Sequence, residues 1–422
     1  MKILFMAQCY APENVSAAIL ITELATDLRK RGHQVTVVTG APNYPQGRIF
    51  EGYHNSIYAV EMLDHVRVVR TWSYISQSKN FWPRIFHYGT YSATAFYGGF
   101  FSGRPDVIVS FSPPLPLGFS AWLLSRIFRI PWVLQLEDLY PDAAIAAGVM
   151  RNKRVINFFL GMEKFLYQNS ERISVISKNF KQILLNKGIR NSKIEVIPVW
   201  ADPDKVLPMP KQNTFRCEHG LSEKFVVMYA GNIGLTSCLE DILQAAEILR
   251  EKNDIHFVII GEGIKKESLQ AEMHARKLMN ISFMPFQPRE TFPEMLAAAD
   301  LNLVTLNANA ALSSLPSKIF NVMASARPVL AITPPGSEIK QIVEEADCGW
   351  NVSPQSPEKL AEVIVQLKSR ESRLIQMGKN GRTCLEKNYS RKHCVDTYEK
   401  MLLTLWNRTH LKQLIQEEKY EC

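Results

Sequence analysis

The chain has 422 residues, of which 46% are hydrophobic and 21% are charged. This composition excludes intrinsic disorder, a collagen-like repeat and a small disulfide scaffold, and at about 100–200 residues per domain it predicts two domains, or three. The formal net charge of +8 favours an anionic partner, which leaves nucleic acid, a membrane surface and a phosphorylated substrate open.

The excess of positive charge lies in the first half of the chain. Residues 1–200 contain 22 Lys and Arg against 13 Asp and Glu, whereas residues 201–422 contain 27 against 28. Halves of such different charge predict two domains that bind different partners.

The first half predicts a doubly wound α/β sheet, because short apolar runs alternate with helical patterns. Ile3–Ala7 has too few apolar residues for a signal peptide and predicts a buried strand. A loop over Gln8–Val15 leads into a helix over Ile19–Arg31, which Gly32 ends. The other predicted elements of this half are strands at Val35–Thr39, Asp106–Phe111, Trp132–Leu136, Arg172–Ile176 and Ile194–Ile197, and a helix at Leu117–Phe128.

The charge-free stretch from Ile85 to Gly103 is open to three interpretations. Its 19 residues lie between Arg84 and Arg104, and length alone allows a membrane span. Gly, Ser, Thr and His residues dilute its apolar content, so a span is disfavoured. A buried helix that covers the sheet and an aromatic helix in the membrane interface both stay open, and the basic segment Arg151–Arg154 fits the second.

The pattern begins again after a Pro-rich stretch at residues 198–210. The predicted strands are Phe225–Ala230, His256–Ile260, Ile281–Phe283, Leu301–Leu306 and Val329–Ile332, and the predicted helices are Leu239–Lys252, Lys265–Lys277, Phe292–Ala299 and Ser317–Ser325. We therefore predict two successive parallel α/β domains, over residues 1–198 and 199–391, with the C-terminal helices of residues 392–422 packing back on the first.

Several common chemistries find no support in the residues. The seven cysteines are widely spaced and form no Cys-x-x-Cys pair, which argues against a disulfide framework or a zinc site. This use of cysteine predicts that the protein is located in a reducing cytoplasm. No His pair or Asp cluster has metal-ligand spacing, and neither a nucleophile elbow nor a phosphate loop occurs. The G-x-G-x-x-G pattern of dinucleotide enzymes and the recognised nucleic-acid modules are also absent.

Glycine-containing turns follow the predicted strands of the second half. Ligands of open α/β sheets bind beyond the carboxyl ends of the strands, and glycines permit close backbone approach there. The segments at these positions are Gly231–Gly234, Gly261–Gly263, Met284–Pro288 and Leu315–Lys318. Backbone amides, a hydroxyl and one lysine suit a diphosphate, although turn glycines are also common in purely structural loops.

The motifs together resemble the family 4 glycosyltransferases, in particular the bacterial branch that makes surface polysaccharides. The resemblance covers residues 1 to about 405, and the ordered set is much more specific than any one member. The matching residues are Tyr10, Pro12 and Glu13; Arg31, Gly32, His33 and Val35; Pro42–Pro45 and Gly47; Gly52 and Tyr53; Asp138–Asp142; Gly231–Gly234; Gly261–Gly263; Pro316–Lys318; Met323 and Ala324; and Pro328 and Val329.

The resemblance implies the GT-B fold, with two Rossmann-like, doubly wound parallel-sheet domains facing a cleft. It implies transfer of a sugar from a nucleotide-sugar in the second domain to an acceptor in the first, with retention of anomeric configuration. A UDP-sugar is favoured as donor. No metal or other cofactor is implied, so protein groups must stabilise the leaving diphosphate.

The chain departs from the family at charged positions of the donor side. The basic pair of the family falls on Asn232 and Ser237, and the glutamates of its E-x7-E motif fall on Ser313 and Asn321. The resemblance therefore leaves Lys318 as the main candidate for stabilising the diphosphate, with Asn321 as a ribose ligand. The implied donor-binding residues are Gly231, Asn232, Gly234, Gly261, Glu262, Pro285, Leu315, Ser317 and Asn321.

The first domain supplies the remaining candidates. The His-Asp pair of many relatives appears as Glu137 and Asp138, which join Lys318 as catalytic candidates. Asp138 could instead cap the following helix, and Glu137 could be a solvated loop charge. The acceptor-side candidates, which could also serve only to shape turns, are Glu13, Asn14, Tyr44 and Arg48.

These inferences favour an enzyme that adds a sugar, such as an N-acetylated or deoxy sugar, to a lipid-diphosphate-linked saccharide for O-antigen, capsule or exopolysaccharide synthesis. We expect it in the cytoplasm, held peripherally at the inner, anionic face of the membrane, since that explains a basic and aromatic first domain. No nucleic-acid partner is expected. Two alternatives remain: a non-catalytic partner subunit of the same fold, and a sugar-nucleotide epimerase.

Overall fold

A computed structural model of the protein describes residues 1–44, 46–78, 81–146, 148–288, 290–308, 310–311 and 314–418. The chain divides into two compact units. Unit 1 runs from Met1 to Pro198 and includes the chain again from Val395, whereas unit 2 runs from Val199 to Cys394.

Unit 1 is built on a sheet of eight strands. They are β1 (Lys2–Met6), β2 (Gln34–Gly40), β3 (Tyr58–Leu63), β4 (Val66–Thr71), β5 (Val107–Ser112), β6 (Trp132–Leu136), β7 (Arg172–Val175) and β8 (Ile194–Val196). Their order is β3-β4-β2-β1-β5-β6-β7-β8, and neighbours are parallel except for the antiparallel pair β3 and β4. The central strands are continuous apolar runs, because helices cover both of their faces.

The helices of unit 1 connect these strands. They are α1 (Ser16–Lys30), α2 (Phe81–Phe101), α3 (Leu117–Phe128), α4 (Asp142–Ala146), α5 (Lys153–Asn169) and α6 (Lys178–Asn186). The predicted strands and helices of the first half are confirmed, whereas the hairpin of β3 and β4 had not been predicted.

Helix α2 covers the charge-free stretch and has two different faces. Its inner face packs on the sheet: Tyr91 is fully buried, with its hydroxyl 2.6 Å from the carbonyl oxygen of Ala7. Gly98 allows this approach, since a Cβ there would lie 2.6 Å from a methyl carbon of Thr71. The outer face exposes aromatic side chains, so the buried-helix interpretation is confirmed and an aromatic surface is present as well. Among the described residues, no helix has the length and apolarity needed to cross a bilayer.

Unit 2 is built on a second sheet, in which all six strands are parallel. They are β9 (Phe225–Ala230), β10 (Ile255–Ile260), β11 (Ile281–Met284), β12 (Leu301–Thr305), β13 (Val329–Ile332) and β14 (Gly349–Val352), in the order β11-β10-β9-β12-β13-β14. The helices are α7 (Thr214–Glu218), α8 (Leu239–Ile248), α9 (Lys266–Ala275), α10 (Phe292–Ala297), α11 (Lys318–Ala324), α12 (Glu338–Glu345), α13 (Pro357–Lys368) and α14 (Glu371–Asn388). The five strands predicted for this half are confirmed, and β14 had not been predicted.

The last helix, α15 (Arg391–Glu418), makes contacts within unit 1. Arg31, at the end of α1, forms ion pairs of 2.6 Å with Asp396 and 2.7 Å with Glu399. The hydroxyl of Tyr398 donates a hydrogen bond to the side-chain oxygen of Gln135 in β6. The first turns of α15 are therefore part of the structure of unit 1.

Candidate active site

The sheet of unit 2 has a topological switch point between β9 and β12. The chain adds β10 and β11 on one side of β9, and β12 to β14 on the other. Loops from neighbouring strands diverge at such a point, and open α/β sheets bind their ligands there. The structure places the loop Gly231–Gly234 and the start of α11 at this edge of the sheet.

Lys318, the first residue of α11, lies against the loop that follows β9. Its ammonium nitrogen is 3.8 Å from the centroid of the Tyr229 ring. A Cβ on Gly231 would lie 2.5 Å from the same nitrogen, so a side chain at this position would displace the ammonium group. No carboxylate among the described residues pairs with Lys318, and burial lowers its pKa to about 7. Lys318 is therefore a partly buried basic side chain that has no acidic partner among these residues.

The glycines of the two neighbouring loops are needed for packing of backbone on backbone. A Cβ on Gly261 would lie 1.9 Å from the carbonyl oxygen of Gly231, and one on Gly263 would lie 2.2 Å from that of Ile233. The amide of Ile233 donates to the carbonyl of Glu262 at 2.8 Å. These contacts extend the strand ladder beyond the ends of β9 and β10 and hold the loop beside Lys318.

Asn232 and Ser237, which occupy the basic positions of the family, add no charge to this edge. The Ser237 hydroxyl donates to the carbonyl of Gly234 at 2.7 Å, and the Tyr229 hydroxyl donates to the carbonyl of Asn232 at 2.7 Å. Both residues therefore belong to the hydrogen-bond pattern of their own loop.

Two other lysines near these loops are neutralised by carboxylates. Lys265 pairs with Glu240 at 2.5 Å, and Lys266 pairs with Glu262 at 2.6 Å. Glu262 is exposed and fills the role of a surface ion-pair partner. Lys318 thus differs from its neighbours in having its charge available to a ligand.

The remaining donor-side candidates lie along the same edge of unit 2. Pro285 follows β11 in an exposed position and accepts a hydrogen bond of 3.0 Å from the Gln287 side chain on its carbonyl oxygen. Leu315 is buried, Ser317 directly precedes α11, and Asn321 lies one turn after Lys318. Ser313, the other position of the E-x7-E pattern, lies outside the described residues.

The corresponding edge of unit 1 holds Glu137 and Asp138, directly after β6. The backbone amide of Glu137 donates to the carbonyl oxygen of Ser112 at 2.8 Å. The Glu137 carboxylate accepts a hydrogen bond of 3.1 Å from the side-chain amide of Gln135. Burial raises the pKa of Glu137 to about 7, and the charge of Asp138 acts in the same direction. Gln135 is itself held by Tyr398, so this carboxyl has an ordered neighbour that fixes its position.

Arg84 is a site residue that the sequence reasoning missed. Burial raises the pKa of Asp138 to about 6, and the positive charge of Arg84 opposes that rise. Arg84 lies in the first turn of α2 and donates a hydrogen bond of 3.0 Å to the Tyr88 hydroxyl. Arg84 is the only Lys, Arg, Asp or Glu residue in the sequence of α2, and this isolation could have marked it as a candidate site residue. The positive charge of Arg84 also acts on the Tyr140 hydroxyl, so Arg84 lies near the residues that follow β6.

The acceptor-side candidates have different surroundings. Glu13 is 4% exposed, and its carboxylate accepts hydrogen bonds from the amides of Tyr10, Asn43 and Tyr44 at 3.3, 2.9 and 2.8 Å. This geometry gives Glu13 the role of holding two loops together. Asn14, Tyr44 and Arg48 are exposed and available to a ligand.

No group of three or more His, Cys, Asp or Glu side chains among the described residues is arranged to hold a metal ion. Among the same residues, unit 2 has a partly buried lysine at the edge of its sheet, and unit 1 has two neighbouring carboxyl groups near an arginine. Such groups can bind an anion and accept a proton or a hydrogen bond from a hydroxyl.

Comparison with known proteins gives two family matches that together cover most of the chain. Residues 17–200 match the family described as glycosyl transferase 4-like domain. Residues 211–383 match the glycosyl transferases group 1. The order of the two domains confirms the resemblance inferred from the motifs.

Individual relatives agree with the family matches. The chain is 28% identical over 378 residues to the colanic acid biosynthesis glycosyl transferase WcaI of Escherichia coli K12, covering 87% of this chain and 92% of that protein. Among solved structures, sucrose-phosphate synthase from Thermosynechococcus elongatus superposes with a TM-score of 0.75 at 15% identity, covering 97% and 100%. HepE of Anabaena in complex with UDP-glucose superposes with a TM-score of 0.71 at 16% identity, covering 96% and 100%. These structures confirm the two-domain, Rossmann-like GT-B fold.

Proposed function

Since this chain belongs to the family 4 glycosyltransferases and is an enzyme of that class, we propose that it transfers a sugar from a nucleotide-sugar to a lipid-diphosphate-linked saccharide. The pathway proposed is the synthesis of a bacterial surface polysaccharide, as the name of the relative WcaI suggests for that protein. The observation that carries the proposal is Lys318, a basic side chain at the switch point of unit 2 that pairs with no carboxylate in the described part of the chain.

In unit 2, the proposed role of Lys318 is to stabilise the negative charge that develops on the leaving diphosphate. Preorganised charge at a developing anion is commonly the largest single contribution to catalysis. The amides of Asn232 and Gly234 would donate to the same diphosphate, while Ser317 and Asn321 would contact the phosphates and the ribose. We propose that no metal takes part, because the lysine and these two amides supply the needed donors.

In unit 1, the proposed role of Asp138 is to accept a hydrogen bond from the acceptor hydroxyl. Its pKa of about 6 leaves it mostly ionised at neutral pH. Arg84 would bind the acceptor diphosphate, and Glu137, with a pKa of about 7, would be about half protonated at neutral pH and so would place less negative charge beside Asp138. Retention of anomeric configuration is part of the proposal by family membership.

A donor that binds beside Lys318 is expected to bring about proton uptake above pH 7. The pKa of free Lys318 is about 7, against an ordinary value of 10.5, so the side chain is mostly neutral at pH 8. A bound diphosphate favours the charged form, so binding at pH 8 should take up close to one proton, and affinity should fall as the pH rises above 7.

Isothermal titration calorimetry with UDP at pH 8, in buffers of different ionisation enthalpy, measures this uptake. The variant Lys318→Met serves as control and should show no uptake from this group. Equal uptake by the two proteins would contradict the assignment of Lys318.

A panel of UDP-, GDP- and dTDP-sugars tests the proposed function itself. A UDP-sugar at about 100 times its Kd is expected to raise the unfolding temperature by roughly 5–10 °C, since a ligand of the folded state stabilises by mass action. The UDP-glucose complex of HepE supports UDP as the nucleotide to test first. Free UDP should then be released only when membranes containing the acceptor are added.

Two results would replace the proposal. A shift with none of the nucleotides would favour a non-catalytic partner subunit. Conversion of the nucleotide-sugar into an epimer without an acceptor, seen by NMR of the sugar, would identify an epimerase.

We further propose that the enzyme works at the inner face of the cell membrane, bound peripherally. A lipid-linked acceptor lies there, and both the acceptor diphosphate and the membrane surface are anionic. The net positive charge of residues 1–200 and the exposed aromatic face of α2 support this location.

A further inference from the structure

A basic cavity lies at the edge of the unit 1 sheet opposite to Asp138, where β1, β2 and β4 begin. It has a volume of about 400 Å³ and is closed on one side by the residues that follow α2, from Ser102 to Pro105. Its cationic or titratable lining residues are Lys2, Arg29, His65, Arg67 and Arg104. None of the described residues that line it is acidic.

The charges of this cavity are not used by ion pairs among the described residues. Arg67 donates to the Ser102 carbonyl at 3.0 Å and to the Tyr58 hydroxyl at 3.3 Å, and both of these acceptors are neutral. Arg29 donates to the carbonyl of His65 at 3.2 Å. Neutral acceptors orient the guanidinium groups without cancelling their charge, so an anion that enters the cavity meets several positive charges.

An uncharged apolar surface lies beside the cavity. The exposed aromatic residues of α2 are spaced by 4 residues from Trp82 to Phe86 and by 11 from Phe86 to Tyr97, and Phe100 and Phe101 follow Tyr97 by 3 and 4. Spacings of about one or three helical turns place these residues on one side of the helix. We define the aromatic stripe as Trp82, Phe86, Tyr97, Phe100 and Phe101, which are 64, 61, 60, 42 and 66% exposed. Phe101 directly precedes the residues that close the cavity, and Met62, which is 62% exposed, lies in the cavity lining.

This combination matches the layered chemistry of a bilayer surface. Aromatic side chains favour the boundary between headgroups and acyl chains, and basic side chains favour anionic headgroups just above it. A soluble phosphate compound would require the cavity alone and would not explain five exposed aromatic residues on the adjoining helix. The length of α2, at 21 residues, gives the stripe a span of about 30 Å along such a surface.

We propose that the basic cavity binds the phosphate of an anionic phospholipid while the aromatic stripe lies in the interface of the same bilayer. The inference rests on the proposed membrane location and extends it, by naming the surface and the lipid class. The basic cavity would make membrane binding selective for anionic lipids, and it is a site separate from the acceptor site.

The test is flotation of the full-length protein with vesicles of phosphatidylcholine alone, and of phosphatidylcholine with about one third phosphatidylglycerol. Wild type is expected to bind the second kind much more tightly. The double variant Arg29→Gln/Arg104→Gln should bind the anionic vesicles roughly thirty-fold more weakly, since each basic residue near such a surface contributes measurably to binding. The matched control Arg250→Gln/Lys252→Gln removes the same charge from unit 2 and should bind as wild type.

The outcomes separate the two levels of inference. If wild type binds neither vesicle, the membrane location itself fails. If the variant Arg29→Gln/Arg104→Gln binds anionic vesicles as tightly as the control, the cavity is not a headgroup site, although the membrane location stands. A thermal shift with UDP on each variant confirms that the fold and the donor site are intact.

A further variant, Phe86→Ser/Phe101→Ser, should lose binding to both kinds of vesicle, and unchanged binding would overturn the role of the stripe.

Discussion

The variant Lys318→Met is expected to lose sugar-transfer activity by a factor of about 10²–10³ in kcat/KM. Methionine keeps the length of the side chain and its packing on the Tyr229 ring. It removes the charge that we propose stabilises the leaving diphosphate. The folded state should not suffer, because burial already disfavours the protonated lysine at this position. Steady-state transfer from a nucleotide-sugar, measured beside the unfolding temperature, separates the two effects.

Lys266→Met is the matched control for this experiment. Lys266 lies near the same loop but pairs with Glu262 at 2.6 Å on the surface. Its replacement should change activity by less than about twofold, as is usual for exposed pairs. If both lysine variants keep wild-type activity, the diphosphate is stabilised by other groups and the proposed site is wrong.

The variant Gly261→Ala is expected to lose about 3 kcal/mol in the free energy of unfolding and to lose donor binding. The added Cβ would lie 1.9 Å from the carbonyl oxygen of Gly231, so one loop must move. That movement would disturb the hydrogen bonds of Gly231 to Ile260 at 2.9 Å and of Gly261 to Met284 at 3.0 Å. Urea unfolding and nucleotide binding measure the two consequences.

Gly336→Ala provides the comparison for Gly261→Ala within unit 2. Apart from its two neighbours in the chain, no described residue has an atom within 4 Å of the position that its Cβ would take. We expect a change within about 0.5 kcal/mol for this variant. If Gly261→Ala unfolds at the same urea concentration as Gly336→Ala, the packing of the two loops does not constrain the donor site.

The sequence predicted the two α/β domains because their strands are strong local signals. β1, β5 and β9 are continuous apolar runs, as expected for central parallel strands that are buried on both faces. The glycine turns after β9 and β10 were also visible, since each follows such a run directly. Family motifs then connected these turns to a diphosphate.

The hairpin of β3 and β4 escaped prediction for a physical reason. β3 is an edge strand, and its exposed positions include Tyr58, Val60 and Met62, so apolar residues do not mark its buried face. Arg70 in β4 is buried because it pairs with Glu61 and donates to the carbonyl of Gly40 at 3.0 Å. A buried arginine in a strand gives a pattern that simple alternation does not recognise.

The structural role of Glu13, which the sequence had indicated only as an acceptor-side candidate, and the position of Arg84 both depend on contacts between distant parts of the chain. Glu13 holds its loop through amides some thirty residues away, and no local pattern indicates such a role. Arg84 acquires its importance from the proximity of Asp138, more than fifty positions later. Only the folded arrangement brings these groups together.

The contribution of α15 to unit 1 has a consequence for synthesis on the ribosome. Arg31 and Gln135 obtain their partners Asp396, Glu399 and Tyr398 only when the last part of the chain has been made. The part of unit 1 that is translated first therefore lacks these contacts while all of unit 2 is translated. A nascent chain stalled before Val395 should be more sensitive to protease in its first half than the finished protein, and a premature stop codon near the C-terminus should damage the domain that was translated first.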